Sequence, residues 1–218
     1  MTYLSWAAMH EGATDEAYFG IVIPALMEDI LRRRGSRNAT VPQAPAVNLG
    51  KSGRGIAEVA AEICGEKDAF HILFIHADTG GRNLEADMER RSTSYRQAVF
   101  ELCAFPLARC IIIAPRHETE AWMLADQEAV GNAMGFRGDL ALLGLPANAV
   151  EAEMLIDPKQ ILQTAVSRVR GRRSKVHVTQ IISAIAHRQA LDQLRQSASF
   201  RAFEGALTAT LVDLGCVS

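Results

Sequence analysis

Three short segments of this chain carry carboxylates and imidazoles at spacings that could do chemistry. Glu11 and Asp15 follow an apolar N-terminal stretch, His76 and Asp78 follow a second, and Glu118 and Glu120 follow a third. Carboxylates brought together repel one another and lose hydration unless a cation lies between them. Such oxygen donors suit a hard divalent ion, Mg2+ or Mn2+, rather than zinc. One ion polarises a phosphoryl oxygen, and a pair also activates water and steadies the leaving oxygen. His10 and His117 flank the acids, either to tune them or as ordinary hydrogen-bonded loop residues. Taken singly, each acid is also explained as a helix cap or first-turn charge. The coincidence of three is what points to a site.

The elements that must hold these residues are legible in the hydropathy pattern. Tyr3 to Met9 predicts a buried strand, and apolar positions from Tyr18 to Leu31 recur at helical spacing, with Thr14 as N-cap and Arg32-Arg-Arg-Gly35 as C-terminal signal. A short strand at 44–49, a helix at 56–65 and a strongly apolar strand at 70–76 follow. A long helix at 84–105, a strand at 110–114 closed by Pro115, and a helix at 118–127 complete the alternation. Strands apolar on both faces, separated by helices, predict an α/β domain with a mostly parallel central sheet covered on both sides. Ligands of such sheets bind beyond the carboxyl ends of the strands, where all three acidic segments would emerge. The remainder reads as helical, at 158–169, 178–195 and 200–214. The expected organisation is an α/β core over 1–130 and a helical C-terminal extension over 131–218, packed as one domain.

Composition sets outer limits. At 218 residues, 49% hydrophobic and 22% charged, the chain is an ordinary globular protein rather than a disordered one. A net charge of −2 makes any nucleic-acid surface a local basic patch. No apolar run is long enough for a membrane span and the start has no basic leader, so a cytoplasmic location is expected. Cys64, Cys103, Cys110 and Cys216 stand apart among apolar neighbours, which predicts buried thiols.

Glu11-Gly-Ala-Thr-Asp15 after an N-terminal strand resembles the opening element of Toprim domains, found in topoisomerases, bacterial primases and the overcoming-lysogenization-defect nucleases. The runs EGATDEAYF (11–19), FIHADTGG (74–81) and PRHETEAWMLAD (115–126), with Asp157-Pro-Lys159 and Ser199-Phe-x-x-Phe203, are similar over nearly the whole chain to the Toprim-like bacterial family called domain of unknown function 4276. The resemblance implies a Toprim-like fold, with Glu11 as metal ligand or acid-base carboxylate and Asp15 as a second ligand. Asp78 matches the last aspartate of the Toprim D-x-D, whereas His76 stands where the first would be. An imidazole still binds manganese or acts as a base, but adds no negative charge. Glu118 and Glu120 are candidates to supply the missing ligand. Their spacing requires Glu118 to lie in the turn before the helix.

The function expected is a Mg2+- or Mn2+-dependent nuclease of bacterial defence, cleaving DNA or RNA, with Glu11, His76, Asp78 and Glu120 catalytic. The family setting suggests an AAA or ABC-type ATPase encoded nearby, and a homodimer is a further candidate assembly. The competing expectation is a non-catalytic Toprim-shaped partner of that ATPase. A small-molecule phosphotransferase or phosphatase is a third. Lys51 and Arg54 are candidate phosphate contacts, although position 45 is Pro where a P-loop needs Gly. Arg172 and Arg173 belong to the densest basic run, five cations in residues 168–175, suited either to a nucleic-acid backbone or to an exposed loop. Trp6, Trp122, Phe200 and Phe203 are expected to be core.

Overall fold

The computed structural model describes residues 2–35, 38–50, 53–76, 89–170 and 178–218, with backbone only at 89, 90 and 178. Lys51, Asp78, Arg172 and Arg173 lie outside the described residues. Two compact units emerge. The first comprises 1–77, 85–113 and 202–218, and the second 78–84 and 114–201.

The first unit is a parallel α/β layer. The strands are β1 (Thr2–Tyr3), β2 (Trp6–His10), β3 (Ala39–Thr40), β4 (Val47–Gly50), β5 (Ile72–His76) and β6 (Cys110–Ile113). Four of them form one sheet in the order β4-β2-β5-β6, and every pairing is parallel. The predicted first strand is broken at Leu4–Ser5, and its leading piece pairs with β3 in a separate two-stranded sheet. β2 and β5 are buried at every residue, which explains why neither alternates in hydropathy.

The connecting helices are α1 (Ala13–Arg34), α2 (Ile56–Gly65) and α3 (Ser94–Cys103). Ala7 and Met9 of β2 share a core cluster with Val59 and Ile63 of α2 and Tyr95 and Val99 of α3. Side chains alternate along a strand, so Trp6, Ala8 and His10 face the opposite side. Phe19 of α1 lies there with its ring 4.8 Å from that of His76. The last helix, α10 (Ala198–Asp213), adds Phe203, 6.0 Å from Phe74, and Thr210, whose hydroxyl donates to Ala108 O. The chain therefore steps from β2 to β4 one way and returns to β5 and β6 the other, with crossover helices on opposite faces. That is the right-handed solution.

α1 starts one turn earlier than its apolar pattern. Gly12 is the N-cap, and Asp15 Oδ2 accepts its N–H at 3.2 Å. Thr14 therefore lies inside the helix instead of capping it. Asp15, three residues past the cap, supplies the returning hydrogen bond of a capping box. At the other end Gly35 N donates to Leu31 O at 2.7 Å, and a Cβ on Gly35 would sit 2.3 Å from that oxygen, so only glycine fits. The long helix predicted from 84 is, within the described residues, a π-helical turn at Glu89–Thr93 followed by α3.

The second unit is helical. It holds α4 (Glu120–Met123), α5 (Gln127–Met134), α6 (Ala149–Glu153), α7 (Pro158–Arg170), α8 (Val178–Arg188), α9 (Leu191–Leu194) and the first turn of α10. The helix expected over 118–127 is shorter because Asp126 caps a new one, accepting from Ala129 N at 3.0 Å. The helix expected over 178–195 likewise breaks before Ala190, whose N–H donates to Asp126. Trp122 is fully buried, packs edge-on against Phe200 with centroids 5.0 Å apart, and donates through Nε1 to Ser199 Oγ at 2.7 Å. Among the described residues no helix is long and apolar enough to cross a membrane.

The cysteine expectation needs correction. Cys110 and Cys216 are buried free thiols, and burial pushes the Cys110 thiol up to about 12 against the opposing effect of Arg96. Cys64 and Cys103, in contrast, are joined in a disulfide, with Cα atoms 5.8 Å apart. They end α2 and α3, two helices side by side on one sheet face, which brings together residues that sequence spacing keeps apart. Urea unfolding with and without a thiol reductant should differ by up to about 4 kcal/mol, the chain-entropy value for a bridge closing about 40 residues. Cys64→Ser/Cys103→Ser should reproduce the reduced curve, and non-reducing alkylation of the unfolded chain should label two cysteines of the four.

Candidate functional site

Reversal of strand order between neighbours opens a crevice at the carboxyl edge of a parallel sheet. Here β2 is followed by β4 on one side and by β5 on the other. That reversal falls where β2 and β5 end, at His10 and His76. Glu11 and Asp15 stand just beyond β2, so the first unit gathers two imidazoles and two carboxylates there.

His76 is 1% exposed. Its Nδ1 lies 3.1 Å from Ile113 O, and a carbonyl only accepts, so Nδ1 carries the proton. Nε2 is turned to Asp15 Oδ1 at 3.8 Å, an ion pair only when the ring is doubly protonated. Asp15 thus has two duties, holding the first turn of α1 and facing this imidazole. His10 is 4% exposed, and its Nε2 pairs with Asn48 Oδ1 at 2.6 Å. Asn48 Nδ2 donates to Glu16 Oε1 at 2.7 Å, which fixes the amide and hence the imidazole tautomer. Burial pushes the His10 pKa below its ordinary value; Asp15 and Glu16 oppose this and His76 reinforces it.

Glu11 is partly exposed, and Arg91 Nη1 approaches its Oε1 at 4.0 Å. Sequence reading missed Arg91. It stands in the π-helical turn ahead of α3, a type of irregularity frequent at functional sites. The only available signal was an arginine downstream of the second acidic segment. Beside it, Ser92 is fully buried and its hydroxyl has no hydrogen-bond partner among the described residues.

Arg54, Glu118 and Glu120 are the other described candidates. Arg54 is bound by Glu58 at 2.9 Å and by Glu62, so a phosphate there would have to displace two carboxylates. Glu118 and Glu120 belong to the second unit. Glu118 lies in a turn and Glu120 opens α4, as their spacing required. The turn is unusual. His117 has φ of +70°, and Glu118 N donates to Arg116 O at 3.1 Å. This left-handed three-residue turn is rare and strained for a residue with a side chain. Glu120 is buried. Among the described residues no group of three His, Cys, Asp or Glu side chains is arranged to hold a metal ion. No protein-family model, no curated protein and no solved structure matches the chain.

An acid that the sequence did not mark has a defined duty. Glu153, 8% exposed, accepts from Ser197 Oγ at 2.6 Å, from Ala198 N and Ser199 N at 2.9 Å each, and from Ser199 Oγ. It caps α10 from another helix, with its charge against the positive end of the helix dipole. Burial raises the Glu153 pKa, but the hydrogen bonds from Ser197, Ser199 and Ala198 outweigh it and the net shift is downward. A lowered carboxylate pKa contributes stability above the unfolded value and loses it as pH falls through the folded value. Glu153→Ala should therefore cost about 2–3 kcal/mol in urea unfolding at neutral pH. Its deficit against wild type should shrink once pH drops below about 4.

Proposed function

We propose that this chain is a divalent-metal-dependent hydrolase of nucleic-acid phosphodiesters with a Toprim-like core, working at the carboxyl edge of its parallel sheet. One observation carries this reading: at the sheet edge where strand order reverses, Asp15 faces the buried His76 at 3.8 Å and Arg91 approaches Glu11 at 4.0 Å. The oxygen-rich donor set suits magnesium or manganese. Glu11 and Asp15 would hold the ion together with Asp78, which follows His76 by two positions. When bound, the ion would polarise a phosphoryl oxygen.

The chain's own groups have distinct duties in this reading. Arg91 offers charge-assisted hydrogen bonds to a phosphate oxygen close to Glu11. Glu11, the most exposed of the four groups, accepts a proton from water or returns one to the leaving oxygen. His76 is locked by Ile113 O and Asp15, so it orients rather than turns over. Lys51, Arg172 and Arg173 would track the phosphate backbone. A role in bacterial defence beside an AAA or ABC-type ATPase is the setting the family resemblance suggests.

A second reading, a non-catalytic Toprim-shaped partner of such an ATPase, is favoured by the imidazole at position 76. It stands in place of a carboxylate, is held by Ile113 O of β6 and faces Asp15 of α1 at 3.8 Å. Incubating the full chain with plasmid DNA and RNA in Mg2+ or Mn2+ separates the two. Cleavage should fall by about 100-fold or more in Glu11→Ala and Asp78→Ala. Cleavage unchanged in both variants would overturn the hydrolase reading. Calorimetry showing no Mn2+ binding, with no cleavage of either polymer, would select the partner reading.

A further inference from the structure

After pairing with β1 at Ala39–Thr40 the chain runs over 41–46 outside both sheets and enters the four-stranded sheet as β4 at Val47. The excursion contains Pro42 and Pro45 and is tied down by two side-chain hydrogen bonds, besides that of Ala46 N to Trp6 O at 2.7 Å. Trp6 Nε1 donates to Pro42 O at 2.9 Å, and Gln43 Nε2 donates to Glu28 Oε1 of α1 at 2.7 Å. Between this strap, α1 and β2 lies a cavity of about 340 Å³, at the small end of the roughly 300–1,000 Å³ of ligand pockets.

Its walls combine aromatic and very small side chains. Trp6 and Phe19 line it alongside Ala8, Ala17 and Gly20. Gly20 stands inside a 22-residue helix, where glycine is disfavoured against alanine. A Cβ added there would meet nothing within 4 Å, so helix packing does not demand glycine. The missing side chain leaves the wall flat and the space open.

The polar end is built from His10, Asn48 and Glu16. Because Asn48 holds the Nε2–H of His10, the neutral imidazole carries its lone pair on Nδ1. That atom is buried without a hydrogen-bond partner among the described residues. A buried acceptor with no donor is costly, and it marks this end of the cavity as short of hydrogen-bond donors. Glu16 and the free oxygen of Gln43 add acceptors, and no lysine or arginine is among the described lining residues. Such walls favour a ligand that donates and disfavour an anion.

We infer that this cavity is a binding site for a small planar aromatic group bearing N–H donors, of which an unpaired nucleobase is the biological example. Filling it requires neither a metal ion nor cleavage, so it stands or falls apart from the hydrolase reading. Adenine and benzoate, both planar, separate donor from acceptor chemistry. Titrated into the full chain without divalent ions, adenine should give a saturable shift of the Trp6 indole N–H signal and leave that of Trp122 in place. Benzoate should give none. Gly20→Leu, which fills the space, should abolish the adenine shift without lowering Tm, and His10→Phe should weaken it at least tenfold. If Gly20→Leu does not fold, Ala44→Trp on the strap provides a second filled cavity with the same expected loss. Absence of saturable adenine binding, equal binding of benzoate, or wild-type affinity in the folded filled variant would each overturn the inference.

Discussion

Seating β2 between β4 and β5 in parallel register is the constraint from which the rest of the first unit follows. A central parallel strand has no face left for water, so Trp6 to His10 and Ile72 to His76 must be covered above and below. Right-handed crossovers then assign α1 to one face and α2 and α3 to the other. The same register brings the ends of two neighbouring strands to one edge with a histidine on each. An imidazole that finishes a buried strand needs partners, and each finds one on the adjoining strand: Asn48 of β4 for His10, Ile113 of β6 for His76. Position and chemistry of the edge thus have a common cause.

Much of this was legible in the sequence. Continuous apolar runs separated by helical spacing identify a parallel layer, and α2 begins and ends at the residues its pattern indicates. Other features were hidden for identifiable reasons. The disulfide joins Cys64 and Cys103, which become neighbours only when two crossover helices pack side by side. Thr14 was the better cap by residue type, but the N-cap is Gly12, whose own amide is taken by Asp15 returning to it. The division of the chain at 113 and 202 carries no compositional mark, because the segment that returns is an ordinary helix. Of the site, the acids and His76 were visible as residues after strands, whereas Arg91 was invisible until the turn carrying it met Glu11.

Part of what makes the 115–126 run distinctive is structural. Trp122 anchors the second unit through Phe200 and Ser199, and Asp126 caps α5 while also receiving the amide of Ala190. Ser199, in the late Ser-Phe-x-x-Phe motif, receives the Trp122 indole and donates to Glu153, so two of the unusual runs meet in one hydrogen-bonded cluster. The acids of the same run, Glu118 and Glu120, sit around a backbone turn that strains His117.

The return of the last helix has a consequence for how the protein is made. On a ribosome, β2 through β6 can pair as they emerge, but Phe203 and Thr210, which cover Phe74 and Ala108, are synthesised only after the whole of 114–201. Throughout that interval the part of this face around Phe74 that α10 covers stays bare, although α1 already packs near His76. Long-range closure of this kind is slow, and it leaves apolar strands open to association in the meantime. Completion of the first unit's core therefore waits on a helix made some ninety residues after its last strand.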